Sequence, residues 1–531
     1  MLRRSYASII ERASRRGSDI PNALQYRPPA VFPKQAHQHR HSSSCWNLSI
    51  RRSEHKLCTC VPLTTQSGRQ LSTHQDFDFQ LSRMQMDSIL RANEQSVIVP
   101  EFDVRGLSLV RRFESNYLAA NTPNEDRRSA ATCLQAKGTL FGIFDGHGGW
   151  ACAQAVSERL LYYITIAMMP RGSLEELETC MERGRPVPPV LRWYKHHTDF
   201  NYRDSASLYI HHLRVFWQEL LDSHEHKEGM CPSDAMHYAF KRLDADISLE
   251  AQVPLSNDLM KSTAIQVAFA GSTACVAHVG PKGIHVANAG DCRAVLGVQE
   301  ADGTWTAVPL SQDHNCQNQA ELERIRAQHP PSERQTVVTD DRILGVLMPS
   351  RAFGDVRFKW SHELQRSILA SLESDVHPDS LNLYHYTLPN YLTPPYLDAT
   401  PEVTYHKVRP QDRFLILATD GLWDELRSQD AVRLVGEHLS GLHLQSPISQ
   451  SERQLKLGQL HQLLLKRQAR ASPASDANAA THLIRHALGT GEYGELCHEK
   501  LASMLALPQD LARMYRDDIT AIVVYLNTQI D

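Results

Sequence analysis

The stretch "TLFGIFDGHGGWACAQAVSERL" (residues 139–160) runs apolar, stops at an acid, turns through Gly-His-Gly-Gly and opens an amphipathic segment. It reads as a buried strand, a tight turn and a helix, since glycines punctuate regular elements. Punctuation accounts for Gly146, Gly148 and Gly149 but gives Asp145 and His147 no reason to be there. The same grammar recurs along the chain. "IHVANAGD" at 284–291 and "RFLILATD" at 413–420 end in acids, "DDITAIVVYL" at 517–526 begins with them, and Glu125-Asp126 stand in "PNEDRRS". One such acid is usually a helix cap or turn former. Several at comparable places predict carboxylates converging at one sheet edge, where they cannot all ionise unless cations neutralise them.

An all-oxygen set with few imidazoles or thiols favours hard cations, magnesium or manganese. Two such ions a few ångströms apart are a recurring device for in-line attack on phosphorus, so metal-assisted phosphoester hydrolysis is the expected chemistry. In that scheme Asp145 bridges both metals, and Gly146, lacking a side chain, lets its carbonyl approach one of them. His147 stands where an acid is needed to protonate a departing serine or threonine oxygen. Gly148 and Gly149 are expected to begin the helix.

Composition sets the frame. The chain has 531 residues, 42% hydrophobic and 22% charged, as in an ordinary globular protein. Its longest apolar candidate, Leu160–Met169, falls short of the roughly 18 residues of a membrane span. The runs "TLFGIFD", "STACVAHV", "IHVANAGD" and "RFLILATD" are apolar at most positions, so they belong inside sandwiched sheets. Helical periodicity between them, as in "ACAQAVSERLLYYI" and Ser233–Phe240, argues for α+β layers. The 11 cysteines are scattered, which indicates neither a disulfide framework nor a thiolate zinc site. Cys133, Cys152 and Cys275 read as small buried hydrophobes in a reducing compartment.

Charge is unevenly placed. Residues 1–70 carry 12 Lys/Arg against Glu11, Asp19 and Glu54, a balance of +9, and the whole chain carries −4, so the remainder carries −13. Arg3, Arg4, Arg12, Arg15 and Arg16, interleaved with Leu2, Tyr6, Ile9 and Ile10, suit a cationic amphipathic presequence. Mitochondrial import is therefore expected, and the acidic body argues against nucleic acid as a partner. Residues 71–105 read as a lead-in with a helix in "LSRMQMDSILRANE". Residues 106–528 read as one catalytic domain with insertions near 170–230, 361–400 and 440–480, expected as loops or peripheral helices.

"FGIFDGHGG", "GSTACVAHV", "ANAGDCRAVLG", "SQDHN", "SRAFGD", "ILATDGLWD" and "RDDIT" occur in the order found in the metal-dependent serine/threonine protein phosphatases, which the chain resembles over roughly residues 110–528. The resemblance implies a central β-sandwich of two mixed or antiparallel sheets flanked by helices, with a binuclear magnesium or manganese centre at one end. It implies Asp145, Gly146, Asp420 and Asp517 as metal ligands and Glu125 as a ligand through water. Asp126 is the acid behind that set, Asp291 belongs to a weaker third metal site, and His147 is the general acid. In "RDDIT" the family pattern selects Asp517 over Asp518. One position departs from it: relatives often hold the substrate phosphate with an arginine four residues before the glutamate, and this chain has Asn121. Arg127 and Arg128 are the nearest guanidinium groups to compensate.

A narrower resemblance, carried by "FESNYLAANTPNEDRRSAATCLQ", "RPQDRFLILATDGLWDELRSQDAVRLVGEHL" and "LARMYRDDIT", is to the mitochondrial pyruvate dehydrogenase phosphatase branch. "VVYLN" and "ANAGDCRAVLGVQE" lean toward its second isoform. This likeness implies phosphoserine on the pyruvate dehydrogenase alpha subunit as substrate and the mitochondrial matrix as location. It also implies docking on the acyltransferase core of the complex and a flavoprotein regulatory subunit. The alternatives are another matrix phosphoprotein, such as the branched-chain 2-oxoacid dehydrogenase, and a catalytically silent pseudophosphatase. The mark of the latter, loss of a metal acid, is not found in the sequence.

Overall fold

The computed structural model describes residues 81–100, 109–197, 199, 206–223, 227–253, 258–370, 388–439, 476–491 and 494–528. The expected presequence and most of the 440–480 insertion lie outside the described residues.

Ser82 and Gln85 close a capping box on α1 (Arg83–Arg91), the helix expected in the lead-in. There follow β1 (Gln95–Ile98), β2 (Val110–Leu118), β3 (Arg127–Cys133), β4 (Thr139–Phe144) and the two-residue β5 (Gly146–His147). The next stretch is mainly helical: α2 (Ala151–Met168), α3 (Arg171–Glu182), the short β6 (Leu191–Trp193), α4 (Ala206–Asp222), α5 (Pro232–Glu250) and α6 (Asp258–Phe269). Strands resume with β7 (Gly271–Ser272), β8 (Ala274–Val279), β9 (Gly283–Ala289), β10 (Arg293–Gln299) and β11 (Trp305–Pro309). After α7 (Gln319–Gln328) come the hairpin β12 (Val338–Thr339) and β13 (Arg342–Ile343), then β14 (Phe353–Gly354), α8 (Val356–Lys359) and α9 (His362–Ala370). Last are β15 (Glu402–Lys407), β16 (Asp412–Ala418), α10 (Asp420–Trp423), α11 (Ser428–Leu439), α12 (Ala479–Gly489), α13 (His498–Leu505), α14 (Gln509–Ala512) and β17 (Ile519–Leu526).

Two six-stranded sheets face each other, in the orders β1-β2-β17-β16-β10-β11 and β15-β9-β8-β4-β3-β6. Their ladders are antiparallel throughout, which narrows the expected mixed or antiparallel pairing. Alternate side chains decide the layers. Phe113, Phe141, Ile143, Leu296, Leu415 and Ile522 fill the space between the sheets. Leu140, Val276 and Ala287 point the other way, under α2, α5 and α6. On the opposite side Phe414, Ile416 and Val523 meet Val432 and Val435 of α11 and Leu483 of α12. Both faces of each sheet are covered, so β4, β8 and β17 are buried at every position, as near-continuous apolar strands require.

The apolar run Leu160–Met169 forms the C-terminal half of α2 and its C-cap, caught between sheet and neighbouring helices. Arg159 on this helix forks onto Glu250 of α5 at 2.9 and 2.5 Å, and His212 of α4 joins the same carboxylate. The insertion near 170–230 is not a loop: α3 and α4 bury Leu174, Leu177, Phe216 and Trp217 in that core. Cys133, Cys152 and Cys275 are buried and free.

Candidate functional site

Strand register brings the predicted acids together. Arg127 pairs with Phe144, so Glu125-Asp126 at the start of β3 and Asp145 at the end of β4 share one end of their sheet. In the facing sheet Arg293 pairs with Ala418, Ala418 with Ala521, and Leu118 with Ile519. The turn holding Asp291, the end of β16 with Asp420 and the start of β17 with Asp517 therefore lie at a common edge. The Thr273 N–H, at the start of β8, donates to the Asp145 carbonyl at 2.9 Å and fixes the corner.

Electrostatic coupling shows how tightly they gather. Burial, then Asp420, Asp126, Asp291 and Asp517, hold the Asp145 carboxyl well above the ordinary range. Burial and Asp420 do the same to Asp291 and raise Asp517 to about 6. Burial and Asp518 raise Glu125 and Asp126. Asp420 is the common neighbour, and its Oδ1 is buried with no hydrogen-bond partner. Among the described residues no three acid, imidazole or thiol side chains close on a single point. A small hard cation suits such a site, because it takes one or two carboxylates and fills its remaining positions with carbonyl oxygen and water.

Each residue has a local reason for its place. Asp145 caps no helix, because the N-cap of α2 is Trp150. Gly146 must be glycine: a β-carbon there would stand 2.5 Å from the Glu125 carbonyl oxygen. Gly148 and Gly149 take φ of +66° and +114°, so they form the turn before α2 and not its first residues, as the sequence reading had it. The Gly149 N–H reaches back to Glu125. Asp126 accepts the Thr419 hydroxyl at 2.9 Å, tying the β3 loop to the Asp420 corner.

Asp517 and Asp518 part company here. Asp518 is buried and accepts the N–H groups of Ala120 at 2.5 Å, Asn121 at 2.8 Å and Glu125 at 2.8 Å, with the Asn121 amide at 3.0 Å. It is the anchor of the 120–125 loop. Asp517 turns outward, with Oδ2 2.7 Å from Arg513 Nη1.

His147 Nε2 lies 2.5 Å from Asp355 Oδ2. Burial alone would lower the imidazolium, but the Asp355 charge and hydrogen bond, helped by Asp291 and Glu125, raise it above the ordinary histidine value. Asp355 is held in left-handed conformation, φ +48°, with its N–H on the Ala270 carbonyl at 2.9 Å. Sequence reasoning assigned Asp355 no role, although it closes the quoted motif "SRAFGD". It also missed Asp424, one turn beyond Asp420, whose carboxyl is raised by burial and by Asp420. An acid at i+4 on a short helix was the available signal.

Neither expected arginine is exposed, although Arg128 keeps a buried Nε and Nη1 without a hydrogen-bond partner. Arg127 bonds Gln154 at 2.6 Å and the Asn124 and Asp126 carbonyls at 2.7 Å. Arg128 is buried, donating to the Asn93 carbonyl at 2.9 Å.

Comparison with known proteins agrees with this geometry. The family profile described as protein phosphatase 2C matches residues 193–459. The chain is 54% identical over 471 residues to the Rattus norvegicus protein named pyruvate dehydrogenase (acetyl-transferring) phosphatase 1, mitochondrial, covering 88% of this chain and 86% of that one. It is equally 54% identical over 462 residues to phosphatase 2 of Homo sapiens, covering 87% and 86%. A Saccharomyces cerevisiae protein with the phosphatase 1 name is 28% identical over 408 residues, covering 73% and 61%.

Proposed function

Because the chain belongs to the protein phosphatase 2C family, a family of magnesium- or manganese-dependent enzymes, we propose that it is the mitochondrial matrix phosphatase that removes phosphate from serine on the pyruvate dehydrogenase alpha subunit, reactivating that complex. The observation that carries the site is the buried, unpartnered Asp420 Oδ1 amid coupled carboxylates drawn from both sheets. The relatives' names support the substrate.

The donor set fits two hard cations. Asp145, Asp420, Asp517 and the Gly146 carbonyl would hold them, Glu125 through water with Asp126 behind it, and Asp291 with Asp424 would offer a weaker third place. When bound, magnesium or manganese polarises the phosphoryl oxygens and acidifies a water for attack. The chain's own residues handle the proton. Asp355 occupies His147 Nε2, so the proton for the departing serine oxygen comes from Nδ1. The Asp355 charge favours the protonated imidazole, raising it above the ordinary histidine value, and its hydrogen bond fixes the direction of the ring.

Residues 1–70 act in this reading as the import signal, residues 71–105 as a lead-in and 106–528 as the catalytic domain with its three insertions. The acyltransferase core and a flavoprotein regulatory subunit are its proposed partners. Purified protein should release phosphate from phosphorylated pyruvate dehydrogenase in magnesium and stop in EDTA. Release from a phosphorylated branched-chain complex alone would overturn the substrate, and release from neither would leave a silent scaffold.

A further inference from the structure

A phosphoserine dianion entering this site comes to rest among at least five carboxylates. Besides cations it needs a donor that fixes its orientation, and a guanidinium, with two parallel N–H groups, suits a phosphate best. The arginines nearest the acids are mostly buried or engaged, although Arg128 and Arg516 keep buried nitrogens without a hydrogen-bond partner. Arg127 and Arg128 are turned inward as described. Arg293 forks onto Asp313 at 2.9 and 2.5 Å. Arg516 donates to the Ala119 carbonyl at 2.7 Å, and the Asn121 amide is held on Asp518.

Arg513 differs. Its side chain is 55% exposed, and Nη1 meets the outward Asp517 Oδ2 at 2.7 Å. Its positive charge also bears on Glu125, across the acid cluster. Among the described residues its Nε and Nη2 have no hydrogen-bond partner. We propose that Arg513 is the phosphate-binding arginine of this chain, taking the place left uncharged by Asn121. The inference rests on the phosphatase reading and names a residue within it. Its pairing with Asp517 is the resting arrangement. Once that carboxylate is shared with a cation its hold on the guanidinium weakens, and the substrate dianion offers a stronger and two-pronged partner. The alternative is an exposed i,i+4 ion pair, which contributes little beyond steadying Asp517.

The full-length protein with Arg513→Gln and Arg513→Lys tests the two. Losing charge-assisted bonds to phosphate should raise KM roughly 10- to 100-fold in the Gln variant. The rise should be similar for a phosphoserine peptide and for p-nitrophenyl phosphate, because the phosphate is what they share, with kcat changed much less. Titration calorimetry of inorganic phosphate into the magnesium-loaded protein should show a matching loss of affinity, while magnesium affinity stays equal or tightens. The Lys variant, with its charge but no fork, should fall between, and serves if the Gln variant folds poorly. Unchanged KM and phosphate affinity, with only magnesium affinity altered, would overturn the proposal and leave Arg513 as a partner of Asp517. Absence of phosphoserine hydrolysis by the wild-type protein would instead remove the phosphatase reading itself.

Discussion

Asparagine at 145 keeps the shape of the side chain and removes one charge from a cluster whose members already repel one another. In EDTA, Asp145→Asn should melt no lower than wild type, because like-charge repulsion is relieved. Its phosphoserine hydrolysis should nevertheless collapse across a magnesium and manganese titration; near-wild-type turnover at saturating metal would sink the two-metal assignment. His147→Gln should lose about 10²-fold or more on a serine phosphoester and much less on p-nitrophenyl phosphate, whose leaving group departs without a proton. Equal losses on both would assign His147 a positional role. At this scale the sequence announced Asp145 because an acid ends an apolar run and the same pattern recurs at other strand ends. It was silent on Asp355 as the partner of His147, since 208 residues separate them and only the pairing of β5 with β7, and β7 with β14, brings them together.

Among the elements, β17 carries two adjacent acids with opposite duties. Asp518→Asn should destabilise the metal-free protein by about 1–3 kcal/mol, because the amide nitrogen that replaces one carboxylate oxygen cannot accept the N–H groups which that oxygen gathers from the 120–125 loop. Asp517→Asn loses the Arg513 ion pair but can still accept the Asp518 N–H through its amide oxygen and relieves repulsion with Asp420, so it should stay within about 1 kcal/mol in EDTA. Thermal melts of both in EDTA give the comparison, and equal losses would contradict the division of labour. The α2–α5 contact offers a test in pH. Burial opposes the Glu250 charge, but Arg159 and His212 outweigh it and lower its pKa from 4.5 to about 2. A depressed carboxylate stabilises the fold fully above about pH 4.5, and that stability drains away as pH falls toward 2. Glu250→Gln, leaving Arg159 buried without its charge partner, should cost about 3–5 kcal/mol at neutral pH and flatten the acid limb between those values. An unchanged acid limb would refute it. The strands were legible because they are buried on both faces and read as unbroken apolar runs. That the helices of the 170–230 insertion join the core was not legible, because they were expected only as loops or peripheral helices and the finished core alone defines their buried faces.

For the molecule as a whole, charge asymmetry is a prediction about address. A fusion of residues 1–75 to a reporter should enter mitochondria and be shortened, and a diffuse cytosolic signal would defeat that reading. The other whole-molecule feature is the position of β17, which is late in the chain yet lies between β2 and β16 in the middle of its sheet. A ribosome adding about 5–20 residues each second leaves β2 waiting tens of seconds for the strand that pairs with it. Until then the sheet has a gap, two open edges invite wrong partners, and Asp517 does not yet exist. A chain without this strand therefore lacks both the partner that joins β2 to β16 and the acid at position 517. Proteins truncated before residue 517 should accordingly be both aggregation-prone, as read by light scattering, and devoid of phosphate release.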